Sequence, residues 1–243
     1  MTALLEIDGL TKRFGGVTAV DACSFAVPAG SVTALVGPNG SGKTTAFNLI
    51  TGYARRDAGA IRFDGEAIRA PDPTRLARRG LTRTFQQARV FADLTLVENM
   101  VAALQQPWRS AFRSAVRPSE RERALGLLEE FGLARLAQER AGNLSYGQKK
   151  LLEFAAVLMA DPKLVLLDEP TAGVNPVLVE QIERRIRELN ERGLTFLVVE
   201  HNMNLVMRLC DPVVVLDHGT KLAEGRPDDV RNDARVLDAY LGG

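Results

Sequence analysis

Two periodicities alternate along the chain. Short continuous apolar runs rich in β-branched residues occur at Ser31–Val36, Lys163–Leu167, Thr195–Val199 and Val213–Leu216, and they read as strands buried on both faces. Val177–Glu191 instead places Val179, Ile182, Ile186 and Leu189 on one face, which predicts an amphipathic helix. Further helices are predicted at Thr45–Thr51, closed by Gly52, at Asn204–Leu209 and at Arg235–Leu241. Leu4–Leu10 alternates apolar and polar positions and predicts an edge strand. Val20–Val27 predicts a second strand, ended by the turn Pro28-Ala29-Gly30. Ala60–Asp64 and Glu66–Ile68 predict a hairpin about Gly65, Pro73–Arg79 a short helix stopped by Gly80, and Leu81–Phe85 another strand. From Leu96 to Ala160 the pattern turns helical, with apolar steps of helical spacing in Val97–Leu104 and Glu120–Phe131. Strands alternating with helices predict an α/β fold: a mostly parallel sheet covered on both faces, an antiparallel β subdomain, and a helical lobe at 87–160 inserted into a core of 1–86 and 161–243.

Composition changes this picture little. The chain has 243 residues, 46% apolar and 25% charged, which suits a globular protein with a real core. Its 31 basic and 30 acidic residues nearly cancel, so nothing marks a nucleic-acid binder. Cys23 and Cys210 stand far apart in no metal-binding pattern and read as buried thiols in a reducing compartment. Met1–Glu6 lacks the basic start and apolar stretch of a signal peptide. No apolar run approaches the ~20 residues of a membrane span, so another chain would have to carry this one to a membrane.

The chemistry centres on Gly37-Pro38-Asn39-Gly40-Ser41-Gly42-Lys43-Thr44, a phosphate loop complete at each fixed position and set between a predicted strand and the helix that Thr45 continues. Its glycines let the backbone aim several N–H groups at one point, where a helix N-terminus adds partial positive charge. Lys43 is predicted to reach the β and γ phosphates, and the Thr44 hydroxyl to bind Mg²⁺. The apolar strand 164–167 runs into Asp168-Glu169-Pro170, an acidic pair at the strand end where α/β folds place their chemistry. Asp168 is predicted to hold Mg²⁺, directly or through water, and Glu169 to act as general base on the attacking water. Leu144-Ser145-Tyr146-Gly147-Gln148 reads as a capping box, Ser145 the N-cap and Gln148 three residues on, ahead of a helix over Lys149–Ala160.

With these motifs in this order, and His201 following a strand, nearly the whole chain resembles the ATP-binding cassette family. The resemblance implies a head-to-tail dimer binding two ATP molecules with Mg²⁺. Each ATP would be held between Gly37–Thr45 of one subunit and Ser145, Gly147 and Gln148 of the other. It also implies that Phe14 stacks on adenine, that Gln86 (or its neighbour Gln87) senses Mg²⁺ and the γ-phosphate, and that His201 contacts the γ-phosphate and orients water or Glu169. Two positions depart from the family pattern. Tyr146 stands where the signature usually has Gly; as the first helical residue, with negative φ, it tolerates a side chain, and Gly147 becomes the residue that must stay bare. Asn175 stands where Asp is common, keeping the acceptor but losing the charge.

Arg83-Thr84-Phe85-Gln86, LSYGQ, Ala172–Pro176, Glu200-His201-Asn202-Met203 and the ending Ala239-Tyr240-Leu241-Gly242 look like the ATPase subunits of bacterial branched-chain amino-acid importers. That resemblance implies a second ATPase subunit (homo- or heterodimeric), two transmembrane permease subunits and an extracytoplasmic substrate-binding protein. It places the chain at the cytoplasmic face of the inner membrane as a peripheral subunit. Urea and lipopolysaccharide transport are neighbouring alternatives. A soluble, non-transport ABC ATPase would resemble chains with a long coiled-coil insert or fused cassettes, and this chain has neither. Two further features invite partners. Arg109, Arg113 and Arg117 form a basic stripe beside Trp108, Phe112 and Val116, suited to a solvated helix face, a permease or anionic lipid. Val90 and Phe91 follow the glutamine loop and suit either the lobe's core or a permease helix.

Overall fold

The computed structural model describes residues 2–104 and 116–241. Among them, β1 (Ala3–Phe14), β2 (Val17–Pro28), β4 (Ala58–Phe63) and β5 (Glu66–Ala67) form an antiparallel sheet in the order β2-β1-β4-β5. A second sheet takes β3 (Val32–Val36), β6 (Leu81–Arg83), β7 (Leu164–Asp168), β8 (Thr195–Val199), β9 (Val213–Asp217) and β10 (Thr220–Gly225) in the order β10-β9-β3-β8-β7-β6. All its pairings are parallel except β10 with β9. The helices are α1 (Lys43–Ile50), α2 (Pro73–Arg78), α3 (Leu96–Ala102), α4 (Pro118–Glu130), α5 (Tyr146–Leu158), α6 (Pro176–Glu191), α7 (Met203–Leu209), α8 (Pro227–Arg231) and α9 (Ala234–Leu241).

The parallel strands are apolar at every position because both faces are covered, and their side chains divide with period two. Ala34, Val36, Val165, Leu167, Phe196, Val198, Val213 and Val215 face a cluster shared with α3–α7. Leu35, Leu164, Leu166, Leu197, Val199, Val214 and Leu216 face the other way, onto α1 and the buried side of the antiparallel sheet. The helices over 96–158 therefore share one continuous core with a face of the parallel sheet.

One expectation needs correction, two elements are added, and one expectation is left untested. Leu4–Leu10 is no edge strand: β1 is longer and lies between β2 and β4, its register shifting between Ile7 and Leu10, where Gly9 takes φ +55°. β10 and α8 escape the pattern because the edge strand is largely polar and α8 buries only Val230. Residues 108–115 of the basic stripe lie outside the described residues; of the rest, Val116 packs against the main core and Arg117 stands at the N-cap of α4, its N–H donating to Glu120 Oε2 at 3.1 Å.

Candidate active site

Four neighbouring parallel strands end on one edge of the sheet, and each delivers a candidate group there. β3 leads into residues 37–42, β6 into Thr84–Gln86, β7 into Asp168-Glu169, and β8 into Glu200-His201.

The loop after β3 demands glycine for steric reasons. Gly37, Gly40 and Gly42 have φ of +148°, +81° and +100°. A Cβ on Gly37 would lie 2.0 Å from Leu216 O, and one on Gly42 2.4 Å from Ala19 O. Gly42 caps α1 without a side-chain hydrogen bond, so the first-turn amides of Lys43, Thr44 and Thr45 present an uncapped positive helix end. The Lys43 ammonium donates to Gly37 O and Pro38 O, both at 2.8 Å, and to Ser41 Oγ at 3.3 Å. Burial pulls its pKa below the usual lysine range, and the Glu169 carboxylate pulls the other way. Thr44, Asn39 and Gly40 are exposed, with Pro38 half-buried. The Tyr240 hydroxyl of the C-terminal helix lies 3.9 Å from Met203 Sδ.

Glu169 is the centre of the constellation. Its φ is +48°, a strained value for a side-chain-bearing residue, and its N–H donates to Val199 O at 2.9 Å. Gln86 Nε2 donates to Glu169 Oε2 at 2.9 Å, and His201 Nε2 lies 3.0 Å from Oε1. A carboxylate opposite Nε2 selects the tautomer carrying hydrogen there. Of the two adjacent glutamines, Gln86 is thus the one joined to Glu169. Asp168 is buried and accepts from Arg83 Nη2 at 2.7 Å. Glu200, also buried, accepts from the Thr171 hydroxyl and from the N–H groups of Thr171, His201 and Asn202, fixing the backbone that carries the imidazole.

Phe14 ends β1 with its ring 53% exposed, outside the core, and the Lys12 ammonium 5.2 Å from its centroid. α5 starts at Tyr146, as expected, and Ser145 and Gln148 make the reciprocal capping box. A Cβ on Gly147 would lie 2.3 Å from Leu178 Cδ2, a packing reason for glycine that the sequence did not show. Tyr146 Oη lies 3.4 Å from Gln86 O. Among the described residues, no hydrogen bond joins Ser145, Gly147 or Gln148 to the loop at 37–44 of the same chain. Asn175 accepts from Leu178 N at 2.9 Å and so caps α6, a task that needs no charge. The role of Arg83 is not evident from the sequence, although a lone charge in the otherwise uncharged strand Leu81–Phe85 is a legible signal for a buried acidic partner.

Comparison with known proteins identifies the family of the chain. The ABC transporter family matches residues 20–172. The chain belongs to that family. A second family, the branched-chain amino acid ATP-binding cassette transporter, matches residues 220–243. The high-affinity branched-chain amino acid transport ATP-binding protein BraF of Pseudomonas aeruginosa is 41% identical, with 98% of each chain covered. LivG of Escherichia coli, described in the same words, is 38% identical, again with 98% of each covered. The ADP conformation of MJ1267, an ATP-binding cassette of an ABC transporter, superposes with a TM-score of 0.90 at 35% identity over the whole of both chains. This ABC protein is accordingly a nucleotide-binding ATPase whose hydrolysis powers transport. No described helix is long and apolar enough to cross a membrane.

Proposed function

We propose that this ABC ATPase serves a branched-chain amino-acid importer, and that Glu169 is its general base. The observation that carries the catalytic assignment is the Glu169 carboxylate held between Gln86 and His201 at the strand edge beside the phosphate loop. Nucleotide phosphates sit on the amides of residues 37–45, with Lys43 compensating their charge and Phe14 offering an exposed ring to adenine. Glu169 takes the proton of the attacking water. His201 donates to one of its oxygens and Gln86 to the other, so the carboxylate is aimed before the water arrives. Ser145, Gly147 and Gln148 cover the nucleotide of a second subunit, in keeping with their lack of bonds to their own loop.

The oxygen donors suit Mg²⁺. Gln86 uses its nitrogen on Glu169, which leaves its carbonyl oxygen as a donor, and Arg83 occupies one oxygen of Asp168 and leaves the other. Thr44, Gln86 and Asp168 would hold the cation, which would neutralise phosphate charge.

The cargo assignment rests on the two relatives and on the C-terminal match. The partners are a second ATPase subunit, two permease chains and an extracytoplasmic binding protein, at the cytoplasmic face of the membrane. Residues 87–160 act as the lobe that moves against 1–86 and 161–243. Glu169→Gln tests the catalytic assignment. Hydrolysis should fall about 10²–10⁴-fold while ATP binding persists, and near-normal turnover would move the base elsewhere. Chains that co-purify with the native protein, assayed for uptake of leucine against urea, test the cargo.

A further inference from the structure

α5 carries two buried charges, Lys150 and Glu153, in a helix that also buries Leu151, Leu152, Phe154, Ala155 and Leu158. They stand one helical turn apart and each grips a different part of the active-site backbone. The Lys150 ammonium donates to the carbonyl of Glu169 at 2.6 Å, holding the residue whose φ is strained. The Glu153 carboxylate accepts from the N–H of Phe85 and the N–H of Arg89, both at 3.2 Å and both on Oε1. These two amides flank Gln86. Phe85 and Arg89 also stack on each other, the guanidinium 3.6 Å from the ring centroid. The segment 85–89 is thus a short arch with both feet on one oxygen of α5. The same helix presents Ser145 and Gln148 at its N-terminus.

We propose that Glu153 is a positioning residue for Gln86: it fastens the backbone on both sides of Gln86 to α5, so that a displacement of that helix is delivered to Gln86 and thence to Glu169. Lys150 is the companion grip on Glu169 itself. The inference rests on the reading of Gln86 as a group of the hydrolytic site, and the test separates the two. Because both bonds end on Oε1, glutamine can replace glutamate without losing either. Leucine keeps the bulk but offers no acceptor.

Amide hydrogen exchange on the full chain reads the arch directly. In the wild type, Phe85 and Arg89 should exchange at least about tenfold more slowly than Gln86 and Gln87. Equal rates overturn the proposal without recourse to any variant. In Glu153→Leu the protection at Phe85 and Arg89 should be lost, and in Glu153→Gln it should be kept. ATP turnover should follow: kcat falls in Glu153→Leu with KM for ATP within about twofold, is restored in Glu153→Gln, and falls equally in Gln86→Ala. Faster exchange throughout α3–α5 in Glu153→Leu, with a rise in KM, would make Glu153 a packing residue and defeat the idea. If Gln86→Ala turns over normally while the arch behaves as described, the tether stands and the role given to Gln86 falls.

Discussion

At the scale of single residues, charge and burial decide the outcomes. Lys43 is buried among carbonyls of its own loop, so Lys43→Ala should abolish ATP binding by calorimetry while helix content by circular dichroism is retained. Glu153 has a second consequence, for stability. Its burial raises the carboxyl from its ordinary 4.5 to about 7, partly countered by the amides of Arg89 and Phe85 and by the charges of Lys150 and Arg89. The unfolded chain releases this proton near pH 4.5 and the folded chain only near pH 7. In that window the folded state binds more protons, and stability falls as pH rises through it. Glu153→Gln removes the slope. Its stability relative to the wild type should rise from pH 5 to pH 8, by on the order of 3 kcal/mol at most, read as a growing gap between the two melting temperatures. A parallel pH dependence of the two melts would refute this. Cys23 and Cys210 are buried, with thiols pushed up to about 11 and about 12, so alkylating reagents should leave both unmodified until the chain unfolds.

At the scale of elements, two local arrangements sort packing from function. Val90 packs against the main core, whereas Phe91 is 61% exposed, its backbone pinned by Asn99 Oδ1 accepting from Phe91 N and Asn99 Nδ2 donating to Phe91 O. Phe91→Ala should therefore change stability by less than about 1 kcal/mol. If Phe91 docks a permease helix, the same change uncouples hydrolysis from uptake in reconstituted vesicles; unaltered uptake would remove that role. The α5–α6 contact gives the second case. Gly147→Ala meets the tip of Leu178, and Leu178→Ala makes room. The double variant should regain the melting temperature lost by Gly147→Ala. If bare backbone at 147 is also required against phosphate, its ATP turnover stays low; recovery of turnover would show that packing alone demands the glycine.

At the scale of the whole molecule, the proposed nucleotide site is divided between two parts of the chain. The phosphate loop ends β3, while Ser145–Gln148 opens α5 with no hydrogen bond between them among the described residues. A chain built so should complete its site with a second subunit. With ATP and Mg²⁺, Glu169→Gln should shift toward a dimer in light scattering. Lys43→Ala should stay monomeric under the same conditions, because it cannot hold the nucleotide that bridges the subunits. Dimerisation of both alike would show that the interface does not depend on nucleotide.

The sequence by itself determined what depends on local spacing. The phosphate loop, the acidic pair after an apolar strand and the capping box at Ser145 are short-range patterns, and the buried parallel strands are legible because each is apolar throughout. Strand order was not legible. Only the tertiary structure places the ends of β6, β7, β8 and β3 side by side, and with them Gln86, Glu169 and His201, which stand far apart along the chain. Long-range pairing also decided that β1 is internal, since one strand's pattern does not reveal how many neighbours it has. It decided too that Phe14 and Phe91 are exposed while Phe47 and Phe131 are buried, because an aromatic's burial depends on what packs across from it. Lys150 and Glu153 show the same limit most plainly. In the sequence they are two charges on a helix; their partners, the carbonyl of Glu169 and the amides of Phe85 and Arg89, are backbone groups brought to them by the fold.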